Sequence, residues 1–512
     1  LSQRGLGHIR ETVKHIKRNR GTDIDVNQFQ EFKTDKKIKD LMRLGKTMGC
    51  FYVESPATRM LLGKLRCDDY LTLVAASSII RPGVASSGMM KAYIERFHIV
   101  RNGGTYQSVH PKMDEIMRDT YGVMVYQEDV IKVAHYFAGL TLTEADVLRR
   151  GMSGKYRSRE EFQQVKDRFF EGCHERGYDP KVTDRVWYEI ESFAGYSFAK
   201  GHSASYAVES YQSLFLKAYY PLEFMVGVIN NFGGFYHTEF YFHEAQMNGA
   251  TIELPCVNKS EYLTTIEGDQ IYMGLVHLKS LETKVGHQIE IDRRQRGVYK
   301  SLHDFLGRVA LGLEQMRILI RVGALRFTGK NKQRLLWEAM LYFSEMKERV
   351  PAMSNLFDTE PAEYPLPELT RNDVEDAFDE IELLGFSLHN PFQLLATNDY
   401  GDAKASDLNA KINRNVSIVG YLVTTKDTRT KGGQPMHFGT FYDCEGQVFD
   451  TVHFPDVTSK FPFRGRGFYE IKGKVVEDFG IAIIEVSGMN KLSLINKKQL
   501  PVESARDGRL IS

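Results

Sequence analysis

Cysteine pairs, tryptophan and long apolar runs are what this chain has least of. No stretch of its 512 residues approaches the roughly 20 apolar residues that cross a bilayer, and no signal peptide opens it. Neither a membrane protein nor a secreted one is expected. Five cysteines (Cys50, Cys67, Cys173, Cys256 and Cys444) stand far apart with no CxxC pair. That spacing excludes a disulfide framework and a zinc ribbon, and it points to a reduced, cytoplasmic protein. Net charge is nearly absent too, at +1, which leaves local imbalance to carry any electrostatic role.

Several catalytic signatures are also missing. A Walker A loop needs Gly-x-x-x-x-Gly-Lys-Ser/Thr, whereas "RRGMSGKY" puts Arg149 at the first glycine and Tyr156 after Gly154-Lys155. "FHEAQM" offers His243-Glu244 without a second histidine, and neither GxSxG nor GxGxxG occurs. A nucleotide-hydrolysing enzyme of P-loop type is thereby set aside. The pair Asp23 and Asp25 in "GTDIDVNQF" resembles a two-metal D-x-D, but it lacks the apolar flanks of a strand that presents ligands, and it reads as a decoy.

What is present suffices for a core: 42% hydrophobic and 26% charged residues, in a length expected to form two to four units. Residues 1–47 are basic, with Lys14, Lys17, Arg18 and Arg20, then Lys33, Lys36, Lys37 and Lys39. From Met48 to about Cys256 helical periodicity dominates. "EEFQQVKDRFFEGCHERG" sets Phe162, Val165, Phe169 and Cys173 on one stripe, with Gly177 as a stop. "TDRVWYEIESF" repeats the device with Val186, Trp187, Ile190 and Phe193 inward behind a Thr183 or Asp184 cap. Residues 257–345 read as two helical hairpins, and 346–405 as a linker rich in proline and acid. Residues 406–490 alternate with period two and glycine punctuation, which suits a small barrel of the OB type or a β-sandwich. Residues 491–512 form a tail.

Three clusters carry chemistry. The first contains Arg59, Arg81, Pro82, Gly83 and Gly88. The second, "YGVMVYQEDVIKVAHYFAGLTLTEADVLRRGMSGK", contains Tyr126, Gln127, Glu128, Asp146, Arg149, Arg150 and Lys155. An arginine fork matches phosphate geometry and keeps its charge, so a tandem pair followed by Gly-Met-Ser-Gly-Lys suits a triphosphate. The third, "FAGYSFAKGHSASYA", joins Lys200, His202, Ser203 and Tyr206 on a glycine-loosened backbone that a ligand can approach closely.

Together with "ESPATRMLL", "IIRPG", "SSGMM" and "VYQEDV", these stretches resemble the fingers of the bacterial C-family DNA polymerases. The resemblance runs through most of residues 1–330. "MGLVHLKSL" and "LIRVGALRFTGKNKQRLL" resemble that family's tandem helix-hairpin-helix region. The resemblance implies a multidomain chain: mostly α-helical fingers with a palm-to-fingers lead-in (1–256), a duplex-binding hairpin region (257–345), a linker with a clamp peptide (346–405), and an OB-type domain (406–490). It implies nucleotide binding by Arg149, Arg150, Lys155, Lys200, His202 and Ser203. Duplex contacts would come from Lys279, Lys330 and Lys332, and single-strand stacking from Phe438 or Phe441. Sliding-clamp docking would use Met353, Leu356 and Phe357 of "MSNLF". Other replisome subunits are implied partners, and Mg2+ would be held by palm aspartates upstream of Leu1.

On this reading the chain is a piece that is inactive alone and holds no catalytic or metal residue of its own. Departures are visible: Ala199 replaces the usual asparagine, Gly201 replaces a serine, and "KSLETK" stands where a glycine-rich hairpin is usual. The alternative is a non-enzymatic nucleic-acid-binding module of hairpins plus barrel, which would not need the two basic clusters.

Overall fold

The computed structural model describes residues 2–80, 87–152, 159–192, 199–348, 373–388, 390–430 and 432–495. One long helix, Lys200–Tyr219, organises the N-terminal half. It packs against Ser2–Arg20, Phe29–Thr34, Lys36–Arg43, Tyr70–Ile79 and Pro221–Asn230. Fully buried Ser203, Ser210 and Ser213 keep this helix slim on its crowded faces. Each hydroxyl is satisfied within the fold; Ser210 Oγ donates to the Phe51 carbonyl at 2.9 Å. Near the helix end, Lys217 is buried and donates to the Met48 carbonyl at 2.6 Å and to Glu244 at 2.7 Å. That lysine fastens the "MGCFYVES" turn to helix Thr238–Met247.

The two amphipathic stripes form as expected. Helix Arg159–Glu175 buries Val165, Phe169 and Cys173, and Gly177 follows it with φ of 70°. Helix Pro180–Ser192 buries Val186, Trp187 and Ile190. Its cap differs from the expectation. Asp179 supplies it, accepting from the Lys181 amide at 2.7 Å, because Pro180 opens the helix and places Thr183 a turn inside. Phe193 lies outside the described residues.

A small sheet follows, β1 (Thr251–Glu253), β2 (Thr265–Glu267) and β3 (Gln270–Tyr272), ordered β1-β3-β2. It leads into the hairpin helices Thr283–Arg296, Leu302–Arg308, Leu313–Arg321 and Lys332–Glu348. The stretch read as linker is partly structured. Residues Asp373–Leu384 form a helix, and Leu383, Leu384, Phe386 and Phe392 join the main core. Its acidic composition reads as solvated chain in the sequence. In the fold those acids face Arg321 and Lys332, so the charge is matched and the apolar side is free to pack.

The last unit is a closed barrel of β4 (Asn415–Arg429), β5 (Pro435–Tyr442), β6 (Val448–His453), β7 (Phe468–Asp478) and β8 (Ile481–Lys491), ordered β4-β5-β6-β8-β7. Closure, with the short parallel β6–β8 pairing, selects the OB-type barrel over a sandwich. Phe441, Phe449, Tyr469, Ile471 and Ile484 fill its interior.

The barrel sits directly on the helical unit. His243 stacks on Tyr442 with ring centres 4.6 Å apart and bonds the Gly446 carbonyl at 3.0 Å. Lys64 pairs with Asp478. A Cβ at Gly63 would lie 2.9 Å from Ile481 Cδ1, so the end of that side chain would have to shift to admit it.

Two outcomes follow. Lys217→Met strands the Glu244 carboxylate and is expected to cost about 3–5 kcal/mol in denaturant unfolding. Glu239, at the barrel junction, is raised to about 7 by burial, although Arg466 lies 3.5 Å away. The folded state therefore binds that proton more tightly than the unfolded chain. Stability falls as pH climbs from the ordinary 4.5 through about 7, by about 3 kcal/mol in total. Glu239→Gln is expected to melt higher than the parent at about pH 8 and to match it at about pH 4.5, by thermal unfolding at both.

Candidate functional site

The tripeptide Tyr126-Gln127-Glu128 gathers the two basic clusters. It lies at the start of helix Gln127–Lys132. Asp129 fixes that turn, its carboxylate accepting from the Val125 and Tyr126 amides at 2.9 Å each. From one side comes helix Leu142–Met152, whose Arg149 reaches Gln127 Oε1 at 3.4 Å. From the other comes helix Lys200–Tyr219, whose first amide donates to both oxygens of Glu128 at 3.2 and 3.0 Å. Arg149 and Lys200, distant in sequence, thereby share one rim.

Asp146 holds both arginines. Arg149 Nε donates to Oδ1 at 2.9 Å. Arg150 Nε lies 2.9 Å from Oδ2 without the alignment of a hydrogen bond. Two guanidinium groups on one carboxylate leave net positive charge, and both side chains are partly exposed. Lys200 extends its ammonium over the Tyr126 ring, 5.3 Å from the centroid and 3.8 Å from Asp119. Burial, followed by the nearby carboxylates Asp129, Asp119 and Glu128, raises the Tyr126 phenol, which stays protonated.

The run Lys200–Ser203 is the first turn of a helix rather than a loop. Gly201 has nothing within 4 Å of a would-be Cβ, so its small size answers no internal packing need. His202 is exposed, its ring 6.4 Å from Tyr206. Ser203 is turned inward. It is fully buried, its Oγ 2.7 Å from Ser78 Oγ, because the fourth residue of the turn faces helix Tyr70–Ile79. It ties two helices together and does not line the rim.

Arg59, singled out in the sequence, is likewise structural. Its Nε donates to the Gly45 carbonyl at 2.9 Å and its Nη1 to the Tyr236 hydroxyl at 3.2 Å. Lys155 and the residues Arg81, Pro82 and Gly83 lie outside the described residues, as do Met353, Leu356 and Phe357.

No group of three or more metal-ligating side chains occurs among the described residues. Asp23 pairs with Lys17 at 2.9 Å, and Asp25 caps the Asn27 amide at 2.8 Å. Neither fits a divalent-cation site, so no step is routed through Mg2+ on these residues.

Residues 5–177 match the family model described as the bacterial DNA polymerase III alpha subunit finger domain. Residues 249–335 match the helix-hairpin-helix motif. The chain is 30% identical over 493 residues to a DNA polymerase III subunit alpha of Aquifex aeolicus, covering 95% of this chain and 40% of that protein. It is 31% identical over 475 residues to the one of Treponema pallidum, covering 89% and 40%. The chain belongs to the DNA polymerase III alpha family. It spans about two fifths of the length of the curated relatives it matches.

In family terms the hairpin region is less open than its lysines suggest. Lys279 is exposed. Lys330 pairs with Glu338 at 2.7 Å, and Lys332 with Asp376 at 2.6 Å. The first hairpin's turn is tied down as well. The Lys279 amide donates to the Leu383 carbonyl at 2.8 Å and the Glu282 amide to Gln315 at 2.7 Å. Asp376 and Leu383 come from the segment read as linker, and for that reason the sequence did not reveal them. The apolar spacing of Ala377, Leu383 and Leu384 is the signal that could have.

In the barrel, Phe441 is fully buried and belongs to the interior, whereas Phe438 is half-buried on the opposite face of β5.

Ser203→Ala is expected to lower stability by about 1 kcal/mol while leaving nucleotide binding unchanged. Parallel denaturation and triphosphate titration separate the two effects.

Proposed function

We propose that this chain supplies the fingers, duplex-binding and OB parts of a DNA-directed DNA polymerase, where it binds the incoming deoxynucleoside triphosphate opposite the template. The observation that carries the reading is the convergence of Arg149 and Lys200 on Gln127-Glu128, with Arg150 beside them. On this reading the triphosphate displaces Asp146 from the arginine pair. Guanidinium–phosphate bonds replace guanidinium–carboxylate bonds, so the cations are pre-aimed and little reorganisation is left to do. Lys200 adds positive charge at the same rim. His202, exposed one turn in, faces the sugar–phosphate side. Phosphoryl transfer asks mainly for such clamping and positioning.

Catalytic carboxylates and their Mg2+ belong, on this proposal, to a palm that the described residues do not supply, and the chain alone extends no primer. Duplex DNA is held at the hairpins through the exposed Lys279, and through Lys330 and Lys332 once phosphate replaces their partners Glu338 and Asp376. The sliding clamp is met through Met353, Leu356 and Phe357, other replisome subunits are partners, and the setting is the cytoplasm. No described helix is long and apolar enough to cross a membrane.

A non-enzymatic hairpin-plus-barrel module would bind DNA without a triphosphate rim, and one titration distinguishes the two. A fluorescent deoxynucleoside triphosphate should bind the chain, and Arg149→Ala or Arg150→Ala should weaken it about ten- to a hundredfold, the worth of one charge-assisted contact. Duplex affinity should be retained. Loss of duplex binding with triphosphate binding intact would place the pair against DNA instead.

A further inference from the structure

On the far side of Lys200 lies a cavity of about 420 Å³ that the triphosphate reading does not use. Helices Tyr70–Ile79 and Met89–Arg101 form its walls, and the turn Arg118–Tyr121 forms its lip. Two apolar side chains line it while largely open to solvent: Leu71 at 66% and Val100 at 40% exposure. An apolar shelf left uncovered beside a concavity is costly unless something flat lies on it. Behind the shelf stand the buried phenols Tyr93 and Tyr126, neither of which hydrogen-bonds through its hydroxyl to any described residue.

The charges around the rim sort by what already occupies them. Asp69 is spent capping its own helix, accepting from the Thr72 amide at 2.9 Å. Arg101 is spent on Asp68 at 2.6 Å. Arg118 is exposed with no ion-pair partner among the described residues. Lys200 has only Asp119, loosely, at 3.8 Å. What remains is an apolar shelf, two hydroxyls without a bond to a described residue, and the cations Arg118 and Lys200 at one edge.

We propose that this cavity takes one unpaired nucleotide unit of a nucleic-acid strand. The base lies on Leu71 and Val100 with its polar edge toward Tyr93 and Tyr126, and the phosphate lies between Arg118 and Lys200. Choosing a nucleotide over another planar anion rests on the function proposed above. The pocket itself is separate from the Arg149–Arg150 cradle, and Lys200 is the wall between them. A strand nucleotide and a free nucleoside monophosphate share this chemistry, and the test separates them.

The 512-residue chain is titrated at low salt with a fluorescein-labelled oligodeoxythymidine of about ten nucleotides, read by anisotropy, and in parallel with the fluorescent triphosphate. Arg118→Gln and Leu71→Glu both alter exposed side chains. Each is expected to weaken the oligonucleotide about tenfold, the worth of a lost phosphate contact or a disrupted shelf, and to leave triphosphate binding unchanged. Competition by millimolar thymidine monophosphate would show that the pocket accepts the free nucleotide as well. Lack of competition alongside the tenfold losses restricts it to the strand. Oligonucleotide binding unchanged in both variants overturns the pocket. Equal loss of triphosphate and oligonucleotide overturns its separateness and merges it with the cradle.

Discussion

A charge that leaves water must find a partner, and in this chain that rule fixes the longest central helix at both ends. At its start, the Lys200 amide meets the Glu128 carboxylate. At its finish, the Lys217 ammonium meets Glu244 and the Met48 carbonyl. Between them the helix is nearly all core, with serines where neighbours crowd it. Removing either anchor leaves an uncompensated group rather than a missing contact, so the anchors set position more than they add net stability. The rim formed by Arg149, Arg150 and Lys200 inherits its geometry from the first anchor. Arg149 and Lys200 come within reach of one tripeptide because a strand-length turn, held by Asp129, stands between two helices.

The same rule accounts for the polar "FYVESPATR" run without assigning it chemistry. Glu54 accepts from the Gly49 amide at 2.9 Å, the Phe235 amide at 2.5 Å and the Tyr241 hydroxyl at 2.9 Å, and burial raises its carboxyl. Arg59 is absorbed by Gly45 and Tyr236. Both lock the turn before helix Pro56–Leu65 to the Phe232–Tyr241 segment, which then carries the barrel. Polar residues in a sequence announce that a charge matters. They do not say whether it faces a ligand or a neighbour.

Legibility followed the range of the interaction. The helical stripes, the barrel and the paired arginines are local patterns, and they stand where periodicity put them. The inward turn of Ser203 was hidden because its partner, Ser78, is 125 positions away. The fate of Lys332 was hidden because its acids sit in a stretch whose proline and acid content reads as mobile chain. The Asp179 cap was missed for a smaller reason. A proline at the first helical position moves the start upstream of the first apolar residue. Composition records what a segment could do in water; only the tertiary neighbour decides whether its charge is already spent.

That distinction bears most on the barrel. In OB-type barrels oligonucleotides lie across the second and third strands and the adjacent loops, here β5, β6 and the turns beside them. Tyr442, at the end of β5, stacks on His243 and packs against Phe240 at 6.1 Å, and Asp478 at the β7–β8 turn pairs with Lys64. One end of that face is therefore the joint with the fingers. The other end carries Phe438, in register with Val452 across β6 and with Lys426 across β4. That end presents a half-buried aromatic ring beside a lysine, whereas the opposite end is covered by the helical unit. Phe441, on the other face of β5, fills the barrel interior.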